Sequence, residues 1–275
     1  MPTIIANGIK QHYELGLPTN GDPDAPTIVC VHGMLVDSLA SYYFTMAKQL
    51  RDAGLRVLMY DLRGHGNSER PETGYTVDHF VDDLAALLDV LDISAPAYML
   101  GNSFGGTIVY GFAERHPERV AAAAIIESEP VNAEWAEQMT ANLHRAATQF
   151  GRFEAITWIT ARYGTNLARR VKRAKKMLDA TTFERDIPAS RVLDHEQIAS
   201  VSCPVLAIYG SDSECELSMQ APELAKLMPR FTAVELPGLD HSILVDAPAL
   251  VLDLLLGWIA ERRFDEVGSG AGVAA

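Results

Sequence analysis

The sequence predicts an α/β fold: a mostly parallel eight-stranded sheet with helices on both faces and a helical cap inserted late in the chain. Three observations predict it. Short apolar runs alternate with helical patterns across most of the 275 residues, as strand-helix-strand units require. Runs such as TIVCV, RVLMY and PVLAIY are apolar at almost every position, which fits strands covered on both faces. The alternation then fails between about 131 and 200, where helix-like segments run on with no convincing strand.

The elements follow in chain order. Residues 2–6 and 9–14 read as a hairpin, with Asn7-Gly8 supplying the positive φ values that a tight two-residue turn demands. Apolar runs place further strands at 27–32, 55–60, 97–101, 120–126, 204–209 and 232–236. Helices are expected near 37–52, 77–91, 104–115, 217–228 and 247–262. The core is therefore 1–130 with 201–265, and the cap is 131–200. The small residues of 266–275 form a flexible tail.

Composition narrows the function classes. A formal net charge of -13 disfavours nucleic acid and anionic membrane as partners. Cys30, Cys203 and Cys215 are odd in number and lack metal-ligand spacing, so neither a disulfide framework nor a metal site is expected. The start MPTIIANGIKQHYEL has no apolar run of the secretory kind, and no stretch reaches the roughly 18 apolar residues of a membrane span. A cytoplasmic protein with reduced thiols is the expectation, needing no cofactor.

Gly101-Asn102-Ser103-Phe104-Gly105 matches G-x-S-x-G between a strand and a helix. That context gives the pattern its meaning: a sharp turn exposes the serine oxygen at the carboxyl end of the sheet, and a Cβ at 101 or 105 would collide with backbone. A hydroxyl needs a base before it attacks carbon, and His241, on the loop after the last strand, stands where the chain order Ser, acid, His puts it. His32-Gly33-Met34-Leu35 ends the third strand, and the amides of Met34 and Phe104 are the expected donors to an oxyanion. His32 reads as a brace for that loop. Asp61, Arg63 and His65 read as organisers of theirs.

These motifs, HGML, DLRGHGNS, GNSFGG and GLDH, resemble the α/β-hydrolase superfamily over about 1–130 and 201–262. The resemblance implies a serine hydrolase acting on a small apolar ester, lactone or thioester through an acyl-enzyme on Ser103. GNSFGG is also similar to the turn of enzymes that hydrolyse C–C bonds in ring-fission products, so a diketone-like substrate is an alternative. A haloperoxidase-like or lyase activity, or a ligand-binding member without turnover, are further rivals. The intact Ser, acid and His set argues against the non-catalytic one.

The acid has two candidates. Many members carry it as G-x-x-D after the seventh strand, but Gly210-Ser211-Asp212-Ser213 has serine at that position and Asp212 one residue early. Glu127 instead ends the sixth strand, beside the nucleophile strand, with a spacing from the serine similar to that in zearalenone-lactone hydrolases. Glu127 is preferred and Asp212 is the alternative.

In the cap, Trp135, Phe150, Phe153, Trp158 and Tyr163 are candidate pocket walls, although helix packing explains most of them equally well. The basic run from Arg169 to Lys176 reads first as a solvated helix face. Its sharper reading is a docking patch for an acyl carrier protein or a phosphate-bearing thioester.

Overall fold

The computed structural model describes residues 2–213 and 217–270, with side chains as far as 261. Thr3–Ala6 (β1) and Ile9–Gly16 (β2) pair antiparallel around Asn7 and Gly8, whose φ values are 49° and 74°. Then come Thr27–Val31 (β3), helices Ala40–Thr45 (α1) and Ala47–Asp52 (α2), and Arg56–Tyr60 (β4). Val77–Val90 (α3), Ala97–Asn102 (β5), Phe104–Arg115 (α4) and Val120–Ile126 (β6) follow. Four helices come next: Ala133–Gln149 (α5), Phe153–Ala180 (α6), Phe183–Asp186 (α7) and His195–Ala199 (α8). Val205–Gly210 (β7), Ala221–Leu227 (α9), Phe231–Leu236 (β8), Ile243–Asp246 (α10) and Pro248–Gly270 (α11) complete the chain.

The eight strands lie in the order β1-β2-β4-β3-β5-β6-β7-β8, antiparallel through β2 and parallel beyond it. Alternation along each strand divides the core. Val29 and Val31 face the side covered by α3 and α4, whereas Ile28 and Cys30 face α1, α2 and α11. Burial on both faces explains why β3 carries no polar residue except Thr27 at its start. The buried residues Trp135, Leu143 and Phe183 of the helical stretch join the core on the α3 and α4 side.

Three local readings differ from the structure. The helix expected over 37–52 is two helices, broken at Met46 with φ -133°. The one expected over 217–228 opens as a 3-10 turn, Leu217–Gln220, because Pro222 has no N–H for a ladder and fits only the first turn of α9. The last helix begins one residue later and runs further, to Gly270, after the separate short α10. The expected flexible tail therefore starts inside α11, and residues 271–275 lie outside the described ones, as does Cys215. Cys30 and Cys203 are buried free thiols. Among the described residues no helix is long and apolar enough to cross a membrane.

Candidate active site

Ser103 sits between β5 and α4 with φ 52° and ψ -126°, a conformation that L-residues adopt only under constraint. The constraint is close packing: its N–H donates to the Ile126 carbonyl (2.8 Å) and its carbonyl accepts from Gly106 (2.8 Å). A Cβ on Gly105 would lie 2.0 Å from the Val31 carbonyl oxygen, so only glycine lets α4 start this near β3. The turn thereby holds the serine hydroxyl clear of the helix it caps.

Glu127 is the first residue past β6, again at positive φ (50°), and is 1% exposed. Its N–H donates to the Ile208 carbonyl (2.9 Å). Oε1 accepts from the Gly210 N–H (2.6 Å), and Oε2 accepts from the Ser213 hydroxyl (2.6 Å) and faces His241 Nδ1 (3.0 Å). Nε2 of the same ring lies 2.9 Å from Ser103 Oγ. A carboxylate only accepts, so the Nδ1 edge carries the proton and Nε2 is left to accept from the serine. Three side chains from three strand ends thus form one hydrogen-bonded row.

Asp212 is not part of that row. Its exposed carboxylate accepts from the Ser211 hydroxyl (2.8 Å), while its backbone N–H donates to the Leu239 carbonyl (3.0 Å) and fastens the loop that carries His241. Asp240 holds the same loop from within by accepting from the Ser242 N–H (2.7 Å).

Ser213 and the Gly210 amide escaped the sequence reading. The available signal was a hydroxyl standing where the G-x-x-D pattern has its carboxylate, and its use depends on β7 lying beside β6. Ser213 is a positioning residue: it touches Glu127 and not the reacting atoms. A hydrogen bond to a charged group contributes about 1.5–3 kcal/mol. Ser213→Ala is therefore expected to lower kcat at least ten-fold with KM unchanged, and Ser213→Thr to restore it. A change confined to KM would assign Ser213 to substrate binding instead.

The expected oxyanion donors lie beside the serine. A Cβ on Gly33 would be 3.5 Å from that of Ser103. The N–H groups flanking Met34 are taken: Gly33 donates to Asp37 Oδ2 (2.8 Å) and Leu35 to His65 Nε2 (2.8 Å). That of Met34 has no acceptor among the described residues, and that of Phe104, first in α4, lies outside the helical ladder. Met34, Phe104, Ser103 and His241 line one cavity of about 50 Å³.

The DLRGHGNS loop buttresses this arrangement. Asp61 accepts from the N–H groups of Leu39 (2.9 Å) and Asn67 (2.8 Å) and pairs with His12, while Arg63 forks onto buried Asp83 (2.6 and 2.5 Å). His32 Nε2 accepts from the Leu62 N–H (3.0 Å), joining the two loops. Burial, with His32 beside it, pushes the His65 imidazole down to about 3. The folded protein then stays unprotonated there while the unfolded chain binds a proton below about pH 6.5. Stability is full above that pH and is lost as pH falls toward 3. Between pH 6 and 4 its slope should exceed that of His65→Gln by about 1.4 kcal/mol per pH unit, read by urea unfolding. Equal slopes would mean that His65 titrates normally.

Of the aromatic residues singled out in the helical stretch, Trp135 alone lines the serine cavity, stacked on Phe104 with centroids 6.5 Å apart. Phe150 packs on the core, and Phe153, Trp158 and Tyr163 are exposed (80%, 60% and 56%). Beside Trp135, α5 presents Gln138, Met139 and Asn142 to the cavity. Glu129 lines it too, and burial raises its carboxyl above the ordinary range against the pull of Asn132. A space of about 50 Å³ holds only a few atoms, so most of a sizeable ligand would lie outside it, on the side where the His241 side chain is 44% exposed. Among the described residues no group of His, Cys, Asp and Glu is placed to hold a metal.

A family model described as alpha/beta hydrolase fold matches residues 26–248. The chain is 26% identical over 257 residues to a bifunctional esterase/perhydrolase of Acinetobacter calcoaceticus, covering 86% of this chain and 92% of that one. A local match to a 2-hydroxymuconate semialdehyde hydrolase of Pseudomonas sp. (strain CF600) is 41% identical over 135 residues, but spans only 47% of this chain and 44% of that one. The solved enol-lactonase from Burkholderia xenovorans LB400 superposes with a TM-score of 0.71 at 25% identity, covering 92% of this chain and 98% of that one.

Proposed function

Since the chain belongs to the alpha/beta hydrolase fold family, we propose that it is a serine hydrolase that cleaves an ester, lactone or thioester through an acyl-enzyme on Ser103. The observation that carries the reading is the row Ser103–His241–Glu127, with separations of 2.9 and 3.0 Å. Ser103 Oγ attacks the carbonyl carbon as its proton passes to His241 Nε2. Glu127 keeps the ring in the accepting tautomer and steadies the imidazolium. The amides of Met34 and Phe104 receive the negative charge that develops on the carbonyl oxygen. His241 then returns the proton to the leaving group, and a water activated by the same ring releases the acid.

The esterase/perhydrolase relative and the enol-lactonase structure support a carboxylic ester or lactone within the class. The test is a fluorophosphonate probe followed by short and long p-nitrophenyl esters beside lactones. Labelling that disappears in Ser103→Ala, with turnover of one series, is the expected result. A protein that neither labels nor hydrolyses any of them would overturn the reading.

The match to the 2-hydroxymuconate semialdehyde hydrolase favours a second reading, cleavage of a C–C bond in a diketone-like substrate by the same residues. Turnover of a ring-fission dienone by a protein inert toward every ester would select it.

A further inference from the structure

Helical periodicity divides the basic run of α6. Arg170, Arg173, Ala174 and Met177, at spacings of three and four, line one surface cavity of about 60 Å³, while Arg169 and Lys172 do not line it; all four basic side chains are exposed. The facing wall is built from the Leu35–Ser38 and Gly64–Gly66 segments, with Arg70 beside them. Arg173 donates to the Gly66 carbonyl, and Arg70 makes long bonds to that of Gly64 (3.4 and 3.3 Å).

The charges there are unbalanced. Arg63, Arg115, Arg119, Arg185 and Arg191 each pair with a carboxylate, but among the described residues Arg70, Arg170 and Arg173 do not. Asp37 is the carboxylate in this wall; it accepts from the N–H groups of Gly33 and Ser38 and from the Ser41 hydroxyl rather than pairing with an arginine, and its one negative charge stands against the three positive ones. His65 adds no charge of its own, since its Nε2 accepts from the Leu35 N–H and its Nδ1 faces the Arg63 carbonyl.

We infer that this cavity is a binding site for one compact oxyanion group, a carboxylate or a phosphate, held by Arg70, Arg170 and Arg173. Its volume is about that of two waters in the liquid, enough for such a group. Planar guanidinium forks match the oxygen spacing of these groups, and three of them in a chain of net charge -13 are a local reversal of sign. The site adjoins the reacting centre through one peptide: Leu35 lines this cavity and Met34 the serine cavity. An anion here ties α6 to the loop that presents the Met34 amide. The group is either the substrate's own, an extension that rests on the hydrolase reading, or a free anion.

Calorimetric titration of inorganic phosphate at fixed ionic strength tests the site without turnover. The expected result is one-site binding weakened at least ten-fold by Arg170→Gln with Arg173→Gln, and unchanged by Arg169→Gln with Lys172→Gln, outside the cavity on the same helix. No binding, or equal weakening by both pairs, overturns the site. Kinetics on p-nitrophenyl butyrate and mono-p-nitrophenyl glutarate then identify the source. A KM that rises about ten-fold for the glutarate ester alone assigns the group to substrate. Unchanged KM values for both esters, with phosphate affinity lost, assign it to a free anion. If neither ester is hydrolysed and the fluorophosphonate probe and the lactones also fail, the hydrolase reading falls while the calorimetric result still decides the site.

Discussion

Ser103→Ala is expected to lose about a million-fold in kcat, since removing the nucleophile of such a row costs as much as removing the whole row. His241 Nε2 would then face a methyl group, and only the oxyanion amides and binding would remain to act on the carbonyl. Stability should respond differently. Holding a non-glycine residue in this backbone region costs about 1–3 kcal/mol, and glycine releases that strain at about 0.5–1 kcal/mol of extra chain entropy. Ser103→Gly should therefore be inactive yet melt no lower than the parent protein. Retained turnover in either variant would remove Ser103 from the chemistry. A lower melting temperature for the glycine variant would mean that the turn is not strained.

Glu127→Gln is expected to cost about 10⁴ in kcat, the scale seen when a triad acid becomes an amide. With its oxygen in the place of Oε1 the amide still accepts from the Gly210 N–H, a backbone donor that cannot turn away, and its NH2 then confronts the Nδ1–H of His241. The ring escapes by moving its proton to Nε2, where it can no longer take one from Ser103. Asp212→Asn should stay within about two-fold, because that carboxylate is exposed and, among the described residues, bonded only to the Ser211 hydroxyl. If Asp212→Asn were the crippled variant and Glu127→Gln the mild one, the acid would have to be reassigned.

The sheet was legible because its strands are apolar at nearly every position and end in glycine, proline or polar turns, a pattern set by two covering layers of helix. The break at Met46 was not, since ASYYFTMAKQLRD contains neither glycine nor proline and is interrupted only by how it packs. Chain order and the G-x-S-x-G turn were enough to single out Ser103 and His241 but left the acid divided between Glu127 and Asp212; the fold brings Glu127 within hydrogen-bond reach of the ring. Ser213 was hidden because its partner is 86 residues away on a neighbouring strand. The aromatic residues were equally opaque: only packing decides that Trp135 faces the serine and Trp158 faces solvent. The basic run was visible as charge, but its division into a face that lines a cavity and one that does not needed the helix to be placed against residues 35–38 and 64–66.

The carboxylate beside His241 follows an interior strand, β6, while the end of β7 and the turn after it supply the groups that hold it. Proton relay depends on residues 127, 210 and 213, whereas the neighbouring 3-10 turn contributes Leu217 to the wall of the serine cavity. An experimenter who varies Leu217 would reshape the wall of the serine cavity while leaving the side chains of Ser103, Glu127 and His241 untouched.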